Sequence, residues 1–148
     1  MNADERGYFD SLTDRVIAAI FEVSNRLGAG FLEKVYQRAL LTELQLRGMR
    51  TATEVSYSVT YKGRCVGEYF ADLVVEDVLV IELKCAEHLS KEHTAQCLNY
   101  LRASGLTICL LVNFQSPEWS GNESFEGLTA KGLHEVVFDL LEKPFFRW

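Results

Sequence analysis

Asp72, Glu82 and Lys84 are the residues whose types and spacing could do chemistry. They fall within Tyr69-Phe-Ala-Asp-Leu-Val-Val-Glu-Asp-Val-Leu-Val-Ile-Glu-Leu-Lys-Cys85, an apolar stretch broken by an acidic corner at Glu76-Asp77. Glu82 and Lys84 are two apart in a strand-like segment, so both project from one face while Ile81 and Leu83 project from the other. Two charges at the end of so apolar a strand are costly unless they pair or bind something. Asp72 lies ten residues before Glu82 on the adjoining strand. A three-residue turn at Glu76 to Val78 sets Asp72 directly opposite Glu82, and opposed residues share a face. A two-residue turn would oppose Asp72 to Ile81 and separate the two acids. In the first register the carboxylates repel each other unless a hard divalent cation sits between them. Mg²⁺ accepts one or two carboxylates together with water and substrate phosphate. A neighbouring lysine can orient the attacking water and stabilise charge developing on a phosphate. These parts suit hydrolysis of a phosphodiester. The plainer alternative is a strand-end ion pair between Glu82 and Lys84, with Asp72 as a solvated acid near the turn.

The elements that must position these residues are legible in the periodicity. Leu12, Val16, Ile20, Val23 and Leu27 make a helical stripe, with Ser11 or Thr13 to cap its start and Gly28 to end it. A second helix is expected over about Phe31 to Arg47, with Leu32, Val35, Ala39 and Leu40 inward and Gly48 closing it. Val55, Tyr57, Val59 and Tyr61 alternate with polar residues as in a half-buried strand, and Lys62-Gly63 makes a turn. Strands follow at Cys65–Val75 and Val78–Cys85. A helix opening at Leu89-Ser90 should place Ala95, Leu98 and Leu101 inward and stop at Gly105. Leu106–Val112 reads as a central strand covered on both faces and reached by a crossover. Asn113–Lys131 is a polar loop, and Val136-Val137-Phe138 fits a short edge strand better than a helix. The order α-α-β-β-β-α-β plus a C-terminal extension is a mixed α/β fold.

With 148 residues the chain is sized for a single domain, 1–148, with a core of its own. Fifteen Lys and Arg against 21 Asp and Glu give a net charge of −6, which excludes a basic coat for non-specific nucleic-acid binding. Cys65, Cys85, Cys97 and Cys109 have neither CxxC nor zinc spacing and read as buried or half-buried thiols in a reducing cytosol. There is no apolar leader at the N-terminus and no apolar run long enough to span a bilayer, so a cytoplasmic protein is expected.

Asp72 followed by Glu82-Leu83-Lys84 resembles the D…(D/E)xK motif of the PD-(D/E)XK nuclease superfamily. Gly30-Phe-Leu-Glu33-Lys-Val-Tyr36 resembles the signature of the GxxExxY proteins, a small family assigned to that superfamily. Leu27-Gly28-Ala29-Gly30, Tyr61-Lys62-Gly63, His93-Thr-Ala-Gln96-Cys-Leu-Asn-Tyr100-Leu and Gly105 to Phe114 are similar to further blocks of that family, in the right order. The likeness covers about residues 11–114 and leaves 115–148 as an extension. The chain departs from the family's usual pattern at Ala29, Ser24 and Phe70, where Pro, His and Arg are frequent.

The resemblance implies a restriction-endonuclease-like core, a mixed central sheet flanked by helices. It also implies a nuclease dependent on Mg²⁺ or Mn²⁺ that acts on DNA by in-line attack and leaves a 5′-phosphate. Asp72, Glu82 and the Leu83 carbonyl would hold the metal, with Glu33 reaching it from the second helix. Lys84 would prepare the water, and Gln96 would point at the site to position Lys84 or the phosphate. His93, Tyr100, Tyr36 and Lys91 are the candidates for substrate contact. For Tyr100 core packing is the plainer role, for His93 a capping or surface role, and for Glu33 favourable placement at a helix start. Cutting both strands of a duplex would need two sites and so a homodimer. The alternative reading is a catalytically silent nucleic-acid-binding or protein-interaction module that retains the nuclease core.

Overall fold

A computed structural model of the chain describes residues 3–85, 91–106, 108–114 and 137–139. Its elements are α1 (Ala3–Leu27), α2 (Glu33–Leu46), β1 (Thr51–Tyr61), β2 (Arg64–Val75), β3 (Leu79–Lys84), α3 (Lys91–Ser104), β4 (Ile108–Asn113) and β5 (Val137–Asp139). This is the expected order, with β5 as a short edge strand in the extension. Ser90, the expected cap of α3, and residues 115–136, expected to hold most of the polar loop, lie outside the described residues.

The sheet runs β1-β2-β3-β4-β5. All neighbours are antiparallel except β3 and β4, which are parallel because α3 carries the chain back across the sheet. Every residue of β4 is buried, as its unbroken apolar run requires. Two apolar clusters cover the two faces. On one, Leu12, Val16 and Ile20 of α1 and Tyr36, Leu40 and Leu44 of α2 pack on Leu73, Leu79, Ile81, Leu83 and Leu110. On the other, Cys97, Tyr100 and Leu101 of α3 pack on Ala71, Val74, Val80, Cys109 and Leu111.

The helices correct several expectations. α1 starts at Ala3 rather than near Leu12, because Asp4 and Glu5 in its first turn complement the helix dipole; Ser11 and Thr13 are therefore interior residues. It ends where expected: Gly28 takes φ 69° and its N–H donates to the Ser24 carbonyl at 2.9 Å. In α2 the inward residues are Tyr36, Gln37, Leu40 and Leu44. Leu32, 79% exposed, is the extended N-cap residue, and Val35 also faces outward, so the helix is rotated from the stripe that Leu32 and Val35 suggested. In α3 the buried residues are Cys97, Tyr100 and Leu101, while Ala95 faces solvent. Cys65 is exposed rather than buried, since it lies near the solvated end of the β1–β2 hairpin.

The β2–β3 turn occupies Glu76 to Val78. The ladder closes at Val75↔Leu79 and continues through Val74↔Val80 and Leu73↔Ile81. Glu76 and Asp77 both adopt left-handed backbone, at φ 53° and 59°. Arg50 clamps the turn. Its carbonyl accepts from the Glu76 N–H at 2.8 Å, and its N–H and guanidinium donate to the Glu76 carboxylate at 3.0 and 2.9 Å. Arg50 thereby holds the Glu76 carboxyl below the usual carboxylate range.

Candidate functional site

The β2–β3 ladder ends at Leu73↔Ile81, and the next position of the same register sets Asp72 across from Glu82. On β3, Val80 packs on the α3 side, so period two carries the Glu82 carboxylate toward that side, and the Asp72 charge acts on it there. Cys109, in the same cluster, feels the charge of both. The turn has the three residues, Glu76 to Val78, that the chemistry needs.

The ladder does not continue past this point. An unbroken ladder would give the Leu83 N–H to Ala71; instead it donates to Asp72 Oδ2 at 2.7 Å. β2 also turns over here. Ala71 and Leu73 have the same parity, yet Ala71 packs on the α3 side and Leu73 on the α1/α2 side. On β1, Glu54 adopts φ 52° between the Thr53↔Leu73 and Val55↔Ala71 pairs, so the irregularity crosses both strands. The N–H and C=O of one strand residue point to the same side. Because the Leu83 N–H points to Asp72, its carbonyl opens to the same side. The next residue points the other way, and the Lys84 carbonyl accepts from Phe114 at 2.9 Å across β4. Two carboxylates and the Leu83 carbonyl thus surround the place where β2 and β3 part.

The electrostatics are those of a site short of positive charge. Glu82 is only 3% exposed and its Oε1 has no hydrogen-bond partner. Burial and the Asp72 carboxylate push the Glu82 carboxyl up to about 8, against the pull of Lys84 and a backbone hydrogen bond from Asp72. Burial also raises Asp72, offset in part by the Leu83 N–H and by Lys84. Lys84 is half-buried beyond Glu82 on the same strand face, and its charge acts on Asp72, Glu82 and Glu33 alike. No ion pair joins Lys84 to Glu82 among the described residues, although its charge acts on that carboxyl. A buried carboxylate oxygen without a partner costs on the order of 1–3 kcal/mol or more. A hard cation between Asp72 and Glu82 would supply the missing partner, so the donor set fits one.

Glu33 lies in the first turn of α2. It is solvent-accessible, yet partial desolvation and the nearby Asp72 charge raise its carboxyl, while Lys84 and Lys34 lower it. Among the described residues no three His, Cys, Asp or Glu side chains gather closely enough to hold an ion by themselves. The Asp72 charge acts on Glu82, and Glu33, from α2, feels the charges of both Asp72 and Lys84.

Two of the residues expected to touch substrate are buried and hydrogen-bonded within the fold. Tyr36 is wholly buried, stacks on Phe114 at 4.5 Å, donates to the Gly28 carbonyl at 2.5 Å and accepts from the Phe31 N–H at 3.3 Å. It ties α2 to the Gly28–Gly30 link. Tyr100 is 1% exposed, donates to the Val55 carbonyl at 3.2 Å and meets Tyr57 edge-on at 5.2 Å. Gln96 is half-buried one helical turn before Tyr100, and His93, also half-buried, lies one turn earlier; Lys91 is exposed at the start of α3. A residue missed from the sequence is Gln37. Its buried amide donates to the Asp72 carbonyl at 3.0 Å and fixes the backbone that carries the carboxylate. Its place four residues after Glu33, on the same helix face, was the available signal.

Residues 10–123 match the family model of the PD-(D/E)XK nuclease superfamily. The chain belongs to this superfamily. Its mixed sheet flanked by helices is a restriction-endonuclease-like fold, and PD-(D/E)XK nucleases generally use divalent metals such as Mg²⁺ or Mn²⁺. The crystal structure of SSO0001 superposes with a TM-score of 0.47 at 20% identity, over 58% of this chain and 45% of that one. The chain thus spans less than half of that protein's length. Comparison with curated proteins gives no match. Among the described residues of this PD-(D/E)XK protein, no helix is long and apolar enough to cross a membrane.

Proposed function

We propose that this chain is a divalent-metal-dependent nuclease that hydrolyses phosphodiester bonds in DNA. The observation that carries the reading is the facing pair Asp72 and Glu82, with the buried Glu82 Oε1 left without a partner and Lys84 on the same strand face. Asp72, Glu82 and the Leu83 carbonyl are the residues to hold Mg²⁺ or Mn²⁺. When bound, such an ion supplies Lewis-acid stabilisation of the phosphate and a more acidic water.

The chain's own residues do the rest. The Asp72 carboxylate is fixed twice, by the Leu83 N–H at Oδ2 and through its carbonyl by Gln37, so the site is preorganised before substrate arrives. Lys84 orients the attacking water, takes part in its deprotonation and stabilises the charge that grows on the phosphate. Glu33 lies beside Lys84 and helps to hold its ammonium in place. Gln96, on the helix facing Glu82, positions Lys84 or the phosphate. With a net charge of −6, DNA affinity is modest and rests on the bound cation.

Calorimetric titration of Mg²⁺ and Mn²⁺ tests the site, and a panel of labelled duplex, single-stranded and flapped DNA and RNA tests the activity, beside Asp72→Ala and Lys84→Ala. The parent should take up metal and cut DNA. If it does neither at millimolar metal, the nuclease reading falls and a module that keeps the fold without turnover takes its place.

A further inference from the structure

A cavity of about 460 Å³ lies between the β1–β2 hairpin and the C-terminal half of α3. Val59, Gly67 and Tyr69 line it from the hairpin, and Asn99, Arg102 and Ala103 from the helix. Asn99, Arg102 and Ala103 share one side of α3 by i, i+3, i+4 spacing. Gly67 lines the space without a side chain. It pairs with Val59 across the hairpin, and a Cβ built on it meets nothing within 4 Å.

The lining is chemically specific. Among the described residues no carboxylate lines this cavity, and the one charged residue lining it is Arg102. No ion pair engages Arg102 and no hydrogen bond engages the Asn99 amide among the described residues. Tyr69 is half-buried, so one part of its ring is packed and the rest faces the space. A guanidinium, an amide and an aromatic ring suit a phosphate, a base edge and a base face in turn. The volume falls in the range that encloses one small-molecule unit.

The cavity is also in line with the catalytic carboxylates. Tyr69 and Gly67 precede Asp72 on β2 by three and five residues, roughly 10 and 17 Å of strand at ~3.3 Å per residue. That is on the order of a few nucleotides of a strand. Beneath Tyr69, its cross-strand partner Tyr57 packs on Tyr100, which feels the Glu82 charge.

Resting on the nuclease reading above, we propose that this cleft receives an unpaired nucleotide of the strand being cut, so the preferred substrate is single-stranded or frayed nucleic acid. Bases in an intact duplex are stacked and paired and cannot reach a recessed tyrosine ring.

Fluorescence anisotropy with a labelled oligo(dT) and a blunt duplex of equal length, with Ca²⁺ in place of Mg²⁺, reads binding apart from cleavage. The parent should bind the single strand more tightly than the duplex. Arg102→Ala should weaken single-strand binding about tenfold or more, the scale of a lost charge-assisted contact. Gly67→Val fills the cleft from an open backbone position and should weaken it at least as much. Both variants should melt at the parent's temperature, because neither position packs in the core. If the parent binds the oligonucleotide and both variants match it, or the duplex binds as tightly as the single strand, the cleft assignment is overturned while the nuclease reading stands. If the parent neither binds nor cuts any nucleic acid, both fall together.

Discussion

Replacing Glu82 by Gln should flatten the pH dependence of folding in the metal-free protein. Burial and the Asp72 charge hold the Glu82 carboxyl at about 8 against an ordinary 4.5. The folded value is the higher one, so the folded state binds this proton more tightly than the unfolded state. The resulting stabilisation is complete below pH 4.5 and is lost as pH rises through about 8. At about 1.4 kcal/mol per pH unit, the full loss is on the order of 4–5 kcal/mol. Asp72 and Glu33 are shifted upward as well and add in the same direction. Gln keeps the shape and cannot ionise, so the variant should lose most of this slope. Urea unfolding from about pH 5 to about pH 9 in EDTA measures both curves by linear extrapolation. Mg²⁺ added at the alkaline end should restore the parent's stability through binding to the folded state, and should do so far less for Glu82→Gln. A parent curve that is flat across this window, or a variant with the parent's slope, would refute the claim that Glu82 is a buried acid awaiting a cation.

Lys84→Ala should keep the fold and the calorimetric metal heat while cleavage falls about a hundredfold or more, the usual scale for a positioned proton-transfer group. Lys84→Arg should not rescue it, because a guanidinium stays protonated and has another shape; Asp72→Ala should lose the metal heat itself. Tyr36→Phe leaves the Gly28 carbonyl and Phe31 N–H without their shared hydroxyl and should lower unfolding stability by about 1–2 kcal/mol, measured in urea. Asp77→Pro forces φ near −65° where the turn needs 59°, so metal uptake should be lost even if helical circular dichroism survives. Thiol titration of the native protein should find Cys65 reacting first, Cys85 more slowly, and Cys97 and Cys109 only after unfolding.

The strands were legible because their signal is local. Period two alone put Glu82 and Lys84 together, and the length of the Glu76–Val78 turn decided which residue Asp72 would face. The crossover to β4 followed from an apolar run that only a doubly covered strand could bury. The helices were less legible. Leu32 and Val35 look like core residues, but the cap geometry at Leu32 rotates α2 so that Tyr36 and Gln37 point inward. Tyr36 and Tyr100 sit within motif blocks and so invited a substrate role. Their burial comes from tertiary packing against Phe114 and Tyr57, far off in the chain, which no local window reveals. The bend of β2 at Asp72 was hidden for the same reason: it is seen only when the two face clusters are compared.

The two turns of the β1–β2–β3 meander carry unequal burdens. Losing or gaining one residue between Glu76 and Val78 would slide β3 by a position and deliver Glu82 and Lys84 to the α1/α2 side, beneath Tyr36 and Leu40. The same change between Lys62 and Gly63 falls beyond the irregularity already present at Val59/Thr60 and leaves the carboxylates facing each other. Drift in chain length, and any peptide grafted by an engineer, should therefore be tolerated at the far tip of the hairpin and rejected at the acidic corner. The molecule has one hinge of sequence where length is free and another where it is fixed.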